Sequence, residues 1–291
     1  MTVLVLGSGY VGQAFTRELG KRFINYTSLS RAKFDYTKFD NLWLYIKEHR
    51  PKFVINCAGV TGVPNIDWCE DHKAETLLAN VALPLTVAHA CAAHSVTWAQ
   101  LSSGCLYNGN AGDGCGFTEK QPPDFSFRFP QHSFYSASKA LAEEAIAGIG
   151  RRYVWRIRLP FNEVPNPKNL ISKLLAYERV YDSPPNSASH LDDAVSACID
   201  LWESDAAYGV YNVVNPGVLR NRRIVELIQN ILKPKREFEF WKDDAEFYAK
   251  AAKAPRSNCV LSSEKLLTAG VKMRSVIEAL TDSLDRWKAI G

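Results

Sequence analysis

What the sequence lacks narrows its function first. No apolar run among the 291 residues reaches the length of a membrane span, so no membrane partner is expected. The start, Met1-Thr2-Val3-Leu4-Val5-Leu6-Gly7, has neither the basic opening nor the cleavage site of a secretory signal and reads as a mature N-terminus. Charge is nearly balanced. The 35 Lys and Arg against 31 Asp and Glu leave +4, too little to argue for a nucleic-acid partner and only weakly in favour of an anionic ligand. The seven cysteines, at 57, 69, 91, 105, 115, 198 and 259, are scattered, odd in number and free of CxxC spacing. That argues against a disulfide framework and against zinc; no metal is expected, and reduced thiols in a cytoplasmic setting fit better. There are no repeats and no low-complexity linker. The length suits one large domain or two unequal ones.

What is present begins at once. Thr2 to Leu6 is a short apolar run, followed by Gly7-Ser8-Gly9-Tyr10-Val11-Gly12 and then by helical spacing from Gln13 to Leu19. Strand, glycine turn and helix in that order form a dinucleotide-binding signature. Gly7 permits the turn, Gly9 lets a pyrophosphate approach the backbone, and Gly12 allows the helix to pack on the strand. The helix N-terminus, at Tyr10 and Val11, would offer free N–H groups to phosphate. A second strand around Tyr26 to Leu29 ends at Ser30 and Arg31 instead of an acidic residue, which selects a 2′-phosphate and hence NADP. Phe34-Asp35-Tyr36 could border the adenine. Phe53 to Gly59 reads as the next buried strand, with Ala58 and Gly59 small enough to let a cofactor lie close. A long loop from Val60 to Glu70 carries Thr61 and Asn65, and long loops at strand ends tend to be functional. His72 to Ala93 reads as one helical region containing Asn80. This alternation predicts an α/β fold, a doubly wound parallel sheet of Rossmann type.

Val96 to Leu101 reads as a further strand, running into Ser102-Ser103-Gly104-Cys105. If extended, Ser103 and Cys105 point the same way. After an irregular segment, Asn108 to Pro130, a helix begins near Ser133. In it Tyr135 and Lys139 are spaced i, i+4 and share one face. A cation beside a phenol favours the phenolate and makes a proton donor usable near neutral pH. Arg151 to Leu159 is another strand. Residues 160–187 are rich in proline, Val210 to Val214 returns to the sheet, and 215–291 reads as smaller and mainly helical. The expected organisation is a cofactor domain, 1–159 with 188–214, and a substrate region, 160–187 with 215–291. His190 opens a helix and is left unassigned. Trp68 and Trp241 could stack on a base, although large aromatics more often pack in a core.

The ordered set of glycine loop, Ser103, Tyr135 and Lys139 resembles the extended short-chain dehydrogenase/reductase superfamily. The resemblance implies Ser103 beside the reacting oxygen, Tyr135 as acid, Lys139 on the nicotinamide ribose and Asn80 as the helix asparagine of a catalytic tetrad. The glycines here follow the shorter Gly7, Gly9, Gly12 spacing. More specific blocks, 58–70, Gly116-Phe117, 133–136, Asn166-Pro167-x-Asn169 with Ile171-x-Lys173, 215–218 and 254–258, resemble the UDP-4-keto-6-deoxyglucose 3,5-epimerase/4-reductases. That resemblance implies NADPH as cofactor, a UDP-linked 4-keto sugar as substrate, and Cys105 with Lys173 as the acid/base pair that inverts C3 and C5, with the division between them left open. It also implies a separate 4,6-dehydratase upstream, and it allows a homodimer. Thr61, Asn65, Ser103, Asn162, Asn169 and Arg256 are the candidate substrate contacts, Arg256 for the diphosphate. Two alternatives stand beside this one. One is a reductase alone, similar to dTDP-4-dehydrorhamnose reductase, which would not need Cys105 with Lys173. The other is a non-catalytic subunit resembling the β subunit of methionine adenosyltransferase.

Overall fold

The computed structural model describes residues 2–112, 114 and 116–287; Cys115 lies outside them. In chain order the elements are β1 (Thr2–Leu6), α1 (Tyr10–Lys21), β2 (Asn25–Leu29), α2 (Phe39–His49), β3 (Phe53–Asn56), α3 (Trp68–Asp71), α4 (Lys73–Leu77), a π turn (Leu78–Ala82), α5 (Leu83–Ala93), β4 (Thr97–Ser103) and a 3-10 turn (Gly104–Leu106). Then come α6 (Phe134–Ala145), β5 (Arg152–Ile157), α7 (Leu170–Ala176), β6 (Arg179–Val180), α8 (Leu191–Glu203), β7 (Gly209–Asn212), α9 (Asn221–Leu232), β8 (Glu239–Phe240), α10 (Asp244–Lys250), α11 (Glu264–Thr268) and α12 (Val276–Asp285).

Six strands form one parallel sheet in the order β2-β1-β3-β4-β5-β7. Its inner strands are apolar because helices cover both faces. Val3, Val5, Phe53, Ile55 and Trp155 meet Phe15 and Leu19 of α1 and the apolar side of α8. Leu4, Leu6 and Val54 meet Leu42 and Ile46 of α2 and Val87, Ala90 and Cys91 of α5. Phe15 stacks on Trp155 at 5.7 Å, and Phe53 on Trp202 at 4.7 Å. Phe15, Phe53 and Trp155 are fully buried, and each such side chain contributes about 1.5–3 kcal/mol. A separate apolar cluster joins α7, α9 and α12. The sheet is the doubly wound, Rossmann-type arrangement expected.

This strand order places the topological switch between β1 and β3, where open parallel sheets bind ligands. The two strand ends meet there. Leu6 is in register with Asn56, and a Cβ on Gly7 would lie 2.8 Å from Ala58 N.

Three details depart from the sequence reading. Residues 73–93 form a continuous helix long and apolar enough to cross a membrane by length and composition, although no single uninterrupted apolar run is that long. Asn80 and the other polar residues interrupt the run in sequence but not the helix. Its apolar side, Leu83, Val87, Ala90 and Cys91, lies in the sheet core. Second, β4 extends to Ser103, and Cys105 sits in the 3-10 turn that follows, so the alternation of an extended strand does not bring the two side chains together. Third, the described residues of segment 108–130 are irregular as expected, but they are strapped to the C-terminal part of the chain by bridges between Gly109 and Cys259 and between Phe117 and Leu261.

Candidate active site

A cavity of about 480 Å³ opens at the switch point, lined by Gly7, Gly9, Arg31, Tyr36, Cys57, Ala58, Gly59 and residues of the 73–93 helix. The residues fit a dinucleotide. Gly7 adopts φ +96°, a left-handed conformation that favours glycine, and a Cβ on Gly12 would lie 1.9 Å from Gly7 O. Gly9 has open space where its Cβ would be, so a phosphate can reach the backbone. Gly9 also caps α1 without any side-chain hydrogen bond, leaving the first N–H groups of that helix free for an anion. The side chains of Tyr10 and Val11 turn into the core, and the Tyr10 hydroxyl donates to Asn162 Oδ1 at 2.9 Å. Arg31 is exposed at the cavity edge. Ser30 forms the turn after β2, its carbonyl accepting from Lys33 and Phe34 N–H. Asp35 accepts from the Thr37 hydroxyl at 2.5 Å; Thr37 lines the cavity and Asp35 does not.

The sheet and α6 bring Ser103, Tyr135 and Lys139 together. Ser133 caps α6 by accepting from Ser136 N–H, which starts the helix one residue before Tyr135. Tyr135 and Lys139 are both buried. Burial pushes the Tyr135 phenol well above its ordinary value, the Cys105 sulfur adds to the rise, and a hydrogen bond with Ser103 opposes it. Burial likewise pulls the Lys139 ammonium down to about 8, with Glu143 opposing. Thus Tyr135 is held as a proton donor, and Lys139 changes charge close to neutrality. Glu143, one turn on, accepts from Ser102 Oγ at 2.5 Å and forms a buried ion pair with Arg156 at 2.6 Å. Asn80 sits within the π turn, a helix irregularity frequent at functional sites. Its amide donates to Val60 O and Ser138 Oγ, and its oxygen accepts from Val60 N–H. It therefore anchors the loop after β3 to α6.

Cys105 donates its backbone N–H to Ser103 Oγ at 3.1 Å, so the turn that carries the thiol is tied to Ser103. The sulfur accepts from Arg158 Nη1 at 2.6 Å. Lys173 lies on α7. Burial lowers its pKa, as does the neighbouring Lys168, while Cys105 works the other way. Arg158 was not picked out by the sequence reading. Its signal was there: two arginines, Arg156 and Arg158, alternate within an apolar strand, where each needs a buried partner.

The expected substrate contacts divide. Asn65 and Trp68 line a second cavity of about 470 Å³ between loop 63–71 and residues 248–253. The Thr61 hydroxyl accepts from Lys168 Nζ at 2.8 Å, tying the loop to the segment that leads into α7. Three candidates are otherwise engaged. Asn162 is fully buried, bound to Tyr10 and Asp192. Asn169 is fully buried too. It caps α7 by accepting from Ile171 N–H, while its amide donates to Asn162 and Val164. It acts by setting the helix that carries Lys173. Arg256, expected to hold a diphosphate, forms a bidentate pair with Asp67 at 2.7 and 2.6 Å. Its planar fork is filled by a carboxylate that sequence distance gave no reason to place there. The pair holds Asp67 below the usual carboxylate range even though burial alone would raise it. Trp241 packs on Phe247 under the Arg179 guanidinium, away from either cavity lining. His190 is a helix cap, its Nδ1 accepting from Asp193 N–H.

A family model described as the RmlD substrate binding domain matches residues 1–289. Among curated relatives, the chain is 36% identical over 240 residues to the bifunctional dTDP-4-dehydrorhamnose 3,5-epimerase/dTDP-4-dehydrorhamnose reductase of Arabidopsis thaliana, covering 81% of this chain and 77% of that protein. It is 35% identical over 240 residues to a trifunctional UDP-glucose 4,6-dehydratase/UDP-4-keto-6-deoxy-D-glucose 3,5-epimerase/UDP-4-keto-L-rhamnose-reductase of the same plant, covering 81% of this chain but 34% of that longer protein. Among solved structures, the L780 UDP-rhamnose synthase of Acanthamoeba polyphaga mimivirus superposes with a TM-score of 0.88 at 25% identity, over 98% of this chain and 99% of that one. The chain belongs to the RmlD substrate binding domain family.

Proposed function

We propose that the chain is an NADPH-dependent enzyme that epimerises C3 and C5 of a nucleotide-linked 4-keto-6-deoxyhexose and then reduces C4, with UDP-4-keto-6-deoxy-D-glucose as first choice of substrate and UDP-L-rhamnose as product. The reductase half rests on family membership, the dinucleotide cradle and the buried Tyr135–Lys139 pair. The epimerase half rests on one observation: Cys105 stands in the turn directly after Ser103, its backbone N–H donating to Ser103 Oγ, next to the buried Tyr135 and Lys139. A simple keto reduction needs neither the thiol nor the second amine. The names of the relatives support the same chemistry, and they make a 4,6-dehydratase the supplier of the substrate.

The ketone at C4 acidifies the protons on C3 and C5, and inversion needs a base on one face and an acid on the other. Cys105 and Lys173 supply those two groups. For the reduction, Tyr135 donates its proton to the C4 oxygen, and Ser103 orients that oxygen by hydrogen bonding. Lys139, while charged, stabilises the phenolate left behind. NADPH, when bound, supplies the hydride.

The test supplies UDP-4-keto-6-deoxyglucose and NADPH to the chain in deuterated water. The reading expects rhamnose labelled at C3 and C5, and Cys105→Ala should keep NADPH binding while losing the label. An unepimerised reduced sugar would reject the epimerase half. NADPH binding without its oxidation would reject both halves in favour of a non-catalytic subunit.

A further inference from the structure

The start of α7 is set by buried polar groups that precede it. Asn169 holds the first turn at two points. Its Oδ1 accepts from Ile171 N–H at 2.9 Å, and its carbonyl accepts from the backbone N–H of Lys173 itself at 3.0 Å. The amide of Asn169 donates in turn to Asn162 O at 2.8 Å, to Asn162 Oδ1 at 3.2 Å and to Val164 O at 2.9 Å. Both asparagines are fully buried, so water does not replace a bond that is lost here. The apolar residues of α7 pack with α9 and α12. Such packing is non-directional, and the hydrogen bonds at Asn169 supply the direction.

Two ties leave this unit, and both end on segments that frame the cofactor cavity. The first reaches α1. Tyr10, the first residue of that helix, donates its hydroxyl to Asn162 Oδ1 at 2.9 Å. Arg17, two turns on, donates to Asp192 Oδ1 at 3.4 Å, and Asp192 Oδ2 accepts from the Asn162 amide at 3.1 Å. Burial keeps the Tyr10 phenol protonated and therefore a donor, and the charge of Asp192 adds to that. The second tie reaches the loop after β3. Lys168, the residue before Asn169, donates its ammonium to the Thr61 hydroxyl at 2.8 Å and to Gly62 O. Gly9 directly precedes Tyr10, and Gly59 and Val60 directly precede Thr61. These three line the cofactor cavity, to which α7 contributes no lining residue among those described.

We propose that Tyr10 is a positioning residue for the epimerisation: it ties the phosphate-binding end of α1 to the cap of α7, so that a dinucleotide seated on the glycine turn holds Lys173 in place for a step that uses none of its hydride. The part played by Lys173 rests on the proposed function; the tie between α1 and α7 does not. An anion on the first N–H groups of α1 fixes the turn that begins with Tyr10. The hydroxyl then fixes Asn162, Asn162 fixes Asn169, and Asn169 fixes the first turn of α7. Both redox states of the cofactor carry the pyrophosphate, so both act alike. Inversion at C3 and C5 moves only protons. An effect of the oxidised cofactor on it is therefore binding energy passed through the fold, a coupling between two sites.

The experiment uses NADP⁺, which lacks the hydride, at saturation on the full chain. Backbone hydrogen–deuterium exchange of the peptide covering 169–176 is read by mass spectrometry with and without it. The reference for stabilisation of the whole chain is α12, which packs in the same apolar cluster. In wild type, NADP⁺ should slow exchange in α7 at least about fivefold more than in α12. In Tyr10→Phe, which keeps the ring and loses the hydroxyl, α7 should gain no more protection than α12. Solvent deuterium uptake at C3 and C5 of UDP-4-keto-6-deoxyglucose is followed in parallel. NADP⁺ should raise its rate at least about fivefold in wild type and change it by less than about twofold in Tyr10→Phe. Equal protection of α7 and α12 in wild type overturns the proposal, a result that needs no variant to fold. So does extra α7 protection that survives in Tyr10→Phe. Uptake at C3 and C5 that is equally fast with and without NADP⁺ overturns it too, and leaves the epimerase reading standing. Tyr10-dependent protection of α7 with no uptake under any condition does the reverse: the epimerase reading fails and the tie between α1 and α7 stands.

Discussion

The side-chain amide of Asn80 holds both polar groups of the Val60 backbone, accepting from its N–H at 2.8 Å and donating to its carbonyl at 3.0 Å. Asn80 is fully buried inside the π turn, while Val60 lies on the rim of the cofactor cavity. The loop after β3 is therefore pinned by a helix residue twenty positions later.

Asn80→Ala removes this clasp and the bond to Ser138. The expected loss is about 1–3 kcal/mol of stability, read as a lower urea midpoint, together with weaker NADPH binding. Asn80→Asp keeps an acceptor for the Val60 N–H but has no donor for its carbonyl, and should fall between. Unchanged cofactor affinity in Asn80→Ala would mean the clasp serves stability alone.

Lys139 carries a stability cost with a definite pH signature. Its folded pKa, about 8, lies below its ordinary value of 10.5. The cost of the buried ammonium is thus fully present below pH 8, on the order of 3 kcal/mol, and it disappears as pH rises towards 10.5. Lys139→Met should be more stable than wild type at pH 7, lose that advantage between pH 8 and 10.5, and lose keto reduction throughout. Denaturant melts at pH 7 and pH 10 read the difference; an advantage that stays constant with pH would assign it to packing instead.

Glu143 serves two partners, so removing its charge should show in two measurements. Glu143→Gln leaves Arg156 buried without its anion, at a cost of about 3–5 kcal/mol. It also withdraws the charge that holds the Lys139 pKa up. The alkaline limit of NADPH-dependent reduction should therefore move to lower pH than in wild type. A destabilised variant with an unmoved pH profile would separate the two roles.

Arg31 is exposed at the edge of the cofactor cavity. Arg31→Glu should weaken NADPH binding by about ten- to a hundredfold and leave NADH binding little changed, because only the former presents a 2′-phosphate to the guanidinium. Fluorescence titration with the two nucleotides decides it, and an equal loss for both would remove Arg31 from cofactor selection.

Much of this molecule was legible in the residues themselves. The apolar strands, the Gly7, Gly9, Gly12 turn and the i, i+4 pair Tyr135 and Lys139 are local patterns, fixed by strand pleat, backbone sterics and helical pitch over a few residues. The parallel sheet follows from their regular alternation. What tertiary structure alone decided are partnerships between residues far apart in the chain: Arg256 with Asp67, Asn162 with Tyr10, Thr61 with Lys168, Arg158 with Cys105. Each joins polar groups whose meeting depends on strand order and on how distant segments pack at the ends of the strands. Local periodicity carries none of that information. The same limit explains why Arg256 read as a free phosphate ligand and Asn169 as a substrate contact. A side chain's chemistry can be read from its name, but whether that chemistry is already satisfied depends on what the fold has brought beside it.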